Sequence, residues 1–161
     1  MLLRDVLEFA AARHPDQVAI VDGPRRFTYA AWDKRINQVA NALRSLGVGH
    51  GDRVIQVLKN REENCAIHFA CQKLGAVNTP LNFRWSAGEI EYCVNDAEAR
   101  LVIYEEATAE AVLAGQSNFR SKPRLVAVGG SGDAALSFDQ VVSAASTKRP
   151  ETSIEESDNA Q

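Results

Sequence analysis

The sequence lacks the features that would place a chain in a membrane or in an oxidising compartment. No apolar run approaches the roughly 20 residues that span a bilayer. The first five residues, Met1–Asp5, bring in an arginine and an acid at once, unlike a signal peptide. Three cysteines, an odd number, do not make a secreted disulfide framework. We therefore predict a cytoplasmic protein without a transmembrane segment.

An excess of basic charge is also absent. The chain has 18 lysines and arginines against 21 acidic residues, a net charge of -3. A nucleic-acid-binding domain usually shows a basic excess or a basic stripe, so we expect no nucleic-acid partner. Beyond Arg149 there are four acids, no base and almost no apolar residue. This composition predicts a folded portion over residues 1–145 and an acidic linker or disordered tail over residues 146–161.

Recognisable catalytic groupings are missing as well. None of the three histidines lies in a nucleophile context, and no pair of acids is marked for acid–base work, so no catalytic residue is predicted. Cys65, His68 and Cys71 lie at i, i+3 and i+6 of one predicted helix, a stripe that could bind a metal. The three drift round the helix and lack a fourth ligand. Core packing is therefore favoured, with His68 hydrogen-bonded at the helix edge and no metal site.

What the sequence does contain is an alternation of strands and helices. A helix to about Arg13 and a hairpin turning at Asp22-Gly23 come first. Apolar runs at 54–58, 76–81, 101–104 and 125–128 then alternate with helical stretches. The predicted helix starts are Thr28, Asn60 with Glu63, and Ser86 with Glu89; the predicted ends are Gly47 and Gly75. Continuous apolar strands are typical of a sheet covered on both faces. The fold class is therefore α/β, with a mostly parallel, doubly wound sheet and flanking helices.

Two loops invite comparison with phosphate sites. Gly129–Asp133 follows a strand but lacks the lysine and Ser/Thr of a P-loop and the glycine spacing of a dinucleotide fingerprint. A flexible surface loop is the favoured interpretation. Asn82–Trp85 also follows a strand, and ligands of open α/β sheets bind at that end of the strands. Arg84 could hold a phosphate there, although the residues alone favour a solvated arginine.

Four strings stand in order within the first 104 residues. They are Phe-Thr-Tyr at 27–29 with Trp32, LGVGHGDRV at 46–54, KLGAVNTPLNFR at 73–84, and EIEYCVNDA at 89–97 followed by LVI at 101–103. Together they resemble the N-terminal part of acyl-CoA synthetases of the adenylate-forming, AMP-binding superfamily. The resemblance implies the incomplete N-terminal part of an adenylate-forming domain. Most of the matching residues are turn, cap and strand positions, so the likeness rests on the scaffold.

The resemblance also implies a chemistry for a full-length relative. Such an enzyme activates a fatty or aryl carboxylic acid with ATP and magnesium to an acyl-adenylate, and then transfers the acyl group to coenzyme A. The superfamily's Ser/Thr/Gly-rich phosphate loop, its Tyr-Gly-x-Thr-Glu-like segment, its ribose-binding aspartate and its late lysine are not found in residues 1–161. The expectation is therefore an N-terminal fragment of an acid–thiol ligase that is inactive alone and binds neither substrate productively. Arg84 matches the superfamily arginine that lies near the phosphates of coenzyme A, and its guanidinium suits that contact.

Two alternatives stay open beside the ligase interpretation. The chain could be a small non-catalytic α/β binding protein, or a partner-interaction protein that retains only the scaffold. Cutting a larger sheet domain leaves a strand edge unpaired and an apolar face uncovered, which predicts self-association.

Overall fold

A computed structural model describes residues 3–130, 136–155 and 158 of the chain. The helices are α1 Leu3–Arg13, α2 Tyr29–Ser45, α3 Glu62–Leu74, α4 Ala87–Asp96, α5 Glu106–Gly115 and α6 Phe138–Ser143, with a short 3₁₀ turn at Gln116–Asn118. The strands are β1 Val18–Asp22, β2 Arg25–Thr28, β3 Arg53–Val57, β4 Val77–Pro80, β5 Leu101–Glu105, β6 Arg124–Val128 and β7 Leu136–Ser137. The predicted alternation of strands and helices is thus confirmed, and the two-residue strand β7 is an addition to it.

The five strands β3 to β7 form one parallel sheet in the order β4-β3-β5-β6-β7. The chain moves from β3 outward to β4, then returns past β3 to β5 and continues to β6 and β7. This reversal between β3 and β5 is the mark of a doubly wound sheet. The predicted fold class is confirmed.

Successive residues of the central strands enter two separate apolar clusters, one on each face of the sheet. On the first face, Val54 and Ile103 pack with α1, α2, α3 and α6. On the second face, Ile55 and Val102 pack with α4 and α5. Side chains alternate between the faces of a strand, so covering both faces requires the continuous apolar runs seen in the sequence.

Local signals set most of the helix boundaries. Thr28 caps α2, its hydroxyl oxygen accepting a hydrogen bond from the backbone N–H of Ala31 at 3.3 Å. Ser86 and Glu89 form the reciprocal capping box predicted for α4. Gly75 ends α3 in the left-handed conformation, with φ +67°, as a helix-terminating glycine should. The predicted start of α3 at Asn60 is wrong by one residue.

Arg61 occupies the N-cap position of α3, and it makes no side-chain capping hydrogen bond. The first turn of α3 instead receives help from the hairpin, because the Asp22 carboxylate accepts a hydrogen bond from the Glu62 backbone N–H at 3.0 Å. Asp22, which lies in β1, thus accepts the hydrogen bond at the start of α3 that the sequence predicted for Asn60. A tertiary contact of this kind leaves no local pattern to predict from.

The hairpin of β1 and β2 forms with the predicted turn and packs against α2 and α3.

Residues after α6 run back along the first face. Asn41 donates hydrogen bonds to the carbonyl oxygens of Ser146 and Lys148 at 2.7 and 2.8 Å. The Thr152 hydroxyl donates to the Lys73 carbonyl oxygen at 2.6 Å. The division at 145/146 stays a prediction. Within the described ranges, no helix is long and apolar enough to cross a membrane.

Candidate functional site at the carboxyl edge of the sheet

The parallel strands deliver four loops to one edge of the sheet. The loops follow β3, β4, β5 and β6, all at the carboxyl ends. The strand order reverses between β3 and β5, and open α/β sheets bind ligands at the carboxyl ends of the strands next to such a reversal. The residues that the sequence singled out after β4 and β6, Arg84 and Gly129, both lie at this edge.

Arg84 lies in the short loop between β4 and α4, where the sequence placed it. Its backbone N–H donates to the Asn82 side-chain oxygen at 3.0 Å, which fixes the turn. The side chain is exposed, and its guanidinium carbon lies 5.1 Å from the centroid of the Phe83 ring. Within the described residues no acid pairs with this guanidinium. Its hydrogen-bond donors are therefore free to meet an anion.

Lys59 approaches the same aromatic ring from the neighbouring loop. Its ammonium nitrogen lies 6.0 Å from the Phe83 ring centroid, and the side chain is exposed. The backbone N–H of Lys59 donates to the Glu105 carboxylate, which ties the loop after β3 to the end of β5. Two cations therefore flank one exposed aromatic ring at the carboxyl edge. Sequence reasoning missed Lys59, because its neighbour Phe83 is 24 positions away in the chain.

Arg61 braces this edge from below. Its guanidinium donates to Glu63 at 2.7 Å and to Glu105 at 2.9 Å, and so joins α3 to β5. Burial alone would raise the pKa of Glu63. Hydrogen bonds from Arg61 and Arg25 outweigh that effect and lower the pKa to about 2. The carboxylate is therefore charged at neutral pH and serves as a fixed structural anion.

The glycine loop after β6 lies beside this brace. Gly129 and Gly130 have φ values of +81° and +150°, and the Arg61 guanidinium would lie 3.8 Å from a Cβ at Gly129. Residues 131–133 of the loop lie outside the described residues. The interpretation as a flexible surface loop stays a prediction.

A second charged group lies under the hairpin. Glu62, 1% exposed, accepts hydrogen bonds from Arg35 at 2.9 Å and from Arg25 at 3.2 Å. Burial raises the pKa of Glu62 by more than the contact with Arg35 lowers it. The pair of acids opening an otherwise apolar helix was the only sequence signal for this cluster. Its role is to hold β1, β2 and α2 against α3.

The cysteine and histidine stripe of α3 forms no shared site. Cys71 is fully buried, and burial raises its pKa to about 12, as core packing predicts. Cys65 is exposed, so core packing is the wrong prediction for that residue. It falls on the outward side of the helix, three residues before His68. No grouping of three metal-ligating side chains occurs in the part of the chain that the structure describes.

His68 is hydrogen-bonded, as predicted. Its Nδ1 lies 3.2 Å from the side-chain nitrogen of Asn78, and its Nε2 lies 2.8 Å from that of Gln72. Asn78 in turn accepts a hydrogen bond from Gln56 in the neighbouring strand. These contacts satisfy the side-chain nitrogen of the buried Gln56, whereas its side-chain oxygen has no partner within the described residues.

Solved structures share this architecture over nearly the whole chain. The anthranilate CoA ligase AuaEII in complex with anthranoyl-AMP matches 92% of this chain and 29% of its own, with a TM-score of 0.88 and 26% identity. A Mycobacterium tuberculosis fatty acyl CoA synthetase matches 96% of this chain and 30% of its own, with a TM-score of 0.86 and 26% identity. The fold is therefore that of part of an adenylate-forming enzyme domain.

The family follows from the sequence comparison. The model of the AMP-binding enzyme family matches residues 7–160, and the chain belongs to this family. It is 36% identical over 87 residues to the long-chain-fatty-acid–CoA ligase FadD13 of Mycobacterium tuberculosis, covering 54% of this chain and 17% of that protein. It is 36% identical over 104 residues to a feruloyl-CoA synthase of an Amycolatopsis species, covering 65% of this chain and 21% of that protein. The chain thus spans about a fifth of the length of these relatives.

Proposed function

We propose that this chain forms the front portion of an acid–thiol ligase. The complete enzyme activates a fatty or aryl carboxylic acid with ATP, releasing pyrophosphate, and transfers the acyl group from the adenylate to the thiol of coenzyme A. The observation that carries this proposal is the family match over residues 7–160. The similar proteins named fatty-acid, feruloyl and anthranilate CoA ligases support a fatty or aryl acid as the substrate.

The part of this site that the chain supplies is a phosphate contact. Arg84 presents at the carboxyl edge a guanidinium with no acidic partner among the described residues, and the Lys59 ammonium lies near the same Phe83 ring. Two cations beside an exposed ring suit a nucleotide, because phosphate oxygens pair with the cations and a base can lie against the ring. Coenzyme A carries both parts. Arg84 remains the residue that we assign to its phosphates.

The chain alone is expected to be inactive. The described carboxyl edge holds Arg61, Glu63 and Glu105 in mutual ion pairs, so these groups brace the edge and are not poised for proton transfer. Magnesium would accompany ATP in the complete enzyme and neutralise its phosphate charge. The described residues offer no cluster of ligands for it. The cytoplasmic location predicted from the sequence stays a prediction.

Carboxylate-dependent exchange of pyrophosphate into ATP tests the inactivity. The purified 161-residue chain should give no exchange with fatty or aryl acids. A signal that depends on the added acid would show that the adenylation machinery is present and would overturn this part of the proposal. Sequencing the gene and its transcript past the codon for Gln161 decides whether a phosphate loop and its lysine follow in frame.

The Arg84 assignment is tested in whatever longer protein that frame encodes. Arg84→Ala should raise the KM for coenzyme A and leave pyrophosphate exchange unchanged, because exchange precedes the entry of coenzyme A. Arg26→Ala, which removes an exposed arginine from the hairpin, is the matched control. An unchanged KM in Arg84→Ala would remove this residue from the site.

A binding role without catalysis is the alternative function. Calorimetric titration of the 161-residue chain with coenzyme A distinguishes it from a partner-interaction role, since only the binding protein should give heat that Arg84→Ala abolishes. Self-association is a further expectation, supported by the exposed side chains of Val6, Phe9, Val18 and Val21 on α1 and the hairpin. Sedimentation velocity measures it directly.

A further inference from the structure

The edge of the sheet opposite the proposed coenzyme A site carries a second concave surface. The amino ends of β3, β5 and β6 meet there, because the three strands are parallel neighbours. They border an open surface cavity of about 500 Å³. Its lining residues are Asp52, Arg53, Asn95, Glu98, Ala99, Arg100, Arg120 and Ser121. Three arginines from three separate segments thus face one cavity.

The acidic and amide groups of the cavity already have partners within the protein. Asp52 accepts a hydrogen bond from the Gly49 backbone N–H at 2.8 Å. The Asn95 side chain donates to the Asn118 carbonyl oxygen and accepts from the Arg120 backbone N–H. Glu98 pairs with Arg53 at 3.3 Å. These groups therefore hold the walls of the cavity in place.

Arg53 is committed in the same way. Its guanidinium donates to the carbonyl oxygens of Ala97, Gly51 and Glu98, in addition to the Glu98 carboxylate. It fixes the turn before β5 and has little donor capacity left for a ligand. Its charge still balances that of Glu98, so the ion pair contributes no net charge to the cavity.

Arg100 and Arg120 are the uncommitted cations. Arg100 donates its Nε–H to the Gly47 carbonyl oxygen at 3.2 Å and packs its guanidinium against Gly47, and within the described residues its terminal nitrogens have no hydrogen-bond partner. Across the described ranges, the Arg120 guanidinium and the Ser121 hydroxyl have no hydrogen-bond partner. Two guanidiniums and a hydroxyl of the cavity lining therefore keep donors without partners among the described residues, and the Asp52 carboxylate in the same lining offsets one of the two positive charges.

A neighbouring cavity on the other side of Arg120 is lined by acidic residues. It has a volume of about 340 Å³, shares Arg120 and Asn95 with the first, and is lined as well by Glu91, Tyr92 and Asp96. Two acids on that side would repel an anion. An anion that meets Arg120 is therefore directed into the larger cavity, toward Arg100 and Ser121.

We propose that this cavity at the amino edge of the sheet binds the phosphate group of a small organic phosphate. Guanidinium forks match the oxygens of a phosphate, and a serine hydroxyl can donate to a third oxygen. A phosphate monoester carries nearly two negative charges at neutral pH, so Arg100 and Arg120 attract it more strongly than they attract a singly charged carboxylate. The site lies at the opposite ends of the strands from Arg84, so it is separate from the proposed coenzyme A contact.

The test is an amide NMR titration of the 161-residue protein with phenyl phosphate and with inorganic phosphate. Acetate at the same ionic strength controls for screening and for simple carboxylate binding. We expect saturable shifts at Glu98, Arg100, Arg120 and Ser121. If inorganic phosphate produced these shifts and phenyl phosphate did not, the site would bind the free ion, and the proposal of an organic phosphate ligand would be overturned. Shifts at Lys59 and Arg84 instead would assign the phosphate to the carboxyl edge and overturn the proposal.

Variants identify the residues responsible. Arg120→Gln should raise the Kd for phenyl phosphate about tenfold, and Arg120→Lys should raise it less, because charge is kept while the fork is lost. Arg124→Gln is the matched control. It removes the same charge from an exposed arginine at the same edge, outside the cavity lining, and should change the Kd less than twofold.

Two results would contradict the proposal even if a variant failed to fold. Equal binding of acetate and phenyl phosphate to the unaltered protein would exclude a phosphate-selective site. Shifts that rise linearly with phenyl phosphate and do not saturate would show that the arginines form a general basic surface and not a specific site. An equal loss in Arg124→Gln and Arg120→Gln would lead to the same conclusion. None of these outcomes depends on ligase activity, so this proposal and the proposed function can fail independently.

Discussion

The two faces of the sheet are covered in different ways. On the first face, α3 meets α1 and α2 through buried charge: Lys73 is 2% exposed, and its ammonium donates to Asp33 at 2.6 Å, Asn37 at 2.8 Å and Glu8 at 3.0 Å. On the second face, α4 and α5 pack through apolar side chains such as Ile90 and Val112. Ion pairs require fixed geometry, whereas apolar contacts require mainly volume. The first face therefore adds buried ion pairs to an apolar cluster that is larger than the one on the second face, and these pairs fix how its helices are oriented.

Loss of volume on the second face should have the largest effect on stability. Ile55 is fully buried against α4 and α5. Ile55→Ala should lower the free energy of unfolding by about 4 kcal/mol, because a cavity adds to the lost transfer free energy. Denaturant titration measures the change, which should not vary with salt. Val21→Ala, at an exposed position, is the control and should stay within about 0.5 kcal/mol. A loss under 1 kcal/mol in Ile55→Ala would show that this face collapses around the gap.

Loss of charge on the first face comes next. Lys73→Met keeps much of the volume but removes the cation that Glu8 and Asp33 share, and Glu8 then keeps its pair with Arg149. We expect a loss of about 3 kcal/mol, near the low end for a broken buried pair, because both carboxylates are about a quarter exposed. Lys34→Met, on the exposed side of α2, is the control. Equal stability of Lys73→Met and the unaltered protein would mean that apolar packing alone holds α1 and α2 in place.

The sequence predicts the apolar packing of both faces better than it predicts the buried charges of the first face. Apolar periodicity locates Ile90, Val94 and the central strands, because burial of such residues depends on composition and spacing. A lysine such as Lys73 reads as a solvated helix position, and its burial depends on acids 40 and 65 positions away. For the same reason the sequence reached Arg84 but not Lys59. Arg84 is marked by a local sequence string, whereas Lys59 is brought to the site only because β3 ends beside β4.

Acid should weaken the contacts that Glu63 makes on α3. The pKa of Glu63 is lowered to about 2 in the folded protein, against an ordinary value near 4.5. Its contribution to stability is therefore complete above pH 4.5 and is lost as the pH falls toward 2. Glu62, whose pKa is raised, acts in the opposite direction and offsets part of the loss. We expect a net loss of about 2 kcal/mol across this range.

Unfolding curves collected between pH 2 and pH 7 measure this loss. Glu63→Gln cannot ionise, so it should be less stable at pH 7 and should show a flatter dependence on pH. Ile55→Ala is a useful comparison, because its deficit should stay constant over the same range. A Glu63→Gln variant that keeps the full acid-dependent loss would place the responsible carboxylates elsewhere on the molecule.

Removing a helix cap should cost nearly the same stability on either face of the sheet, and this cost should be the smallest of the effects compared. Ser86 caps α4 on the second face through a complete capping box, with Glu89 accepting from the Ser86 backbone N–H at 2.8 Å. Thr28 caps α2 on the first face through one hydrogen bond. Ser86→Ala and Thr28→Ala should each cost about 1 kcal/mol, with Ser86→Ala the larger because Glu89 loses its hydroxyl partner. Thermal denaturation of both variants under the same conditions tests this order. A stability loss in Thr28→Ala several times larger than that in Ser86→Ala would show that the first face depends on the start of α2 as well as on its buried charges.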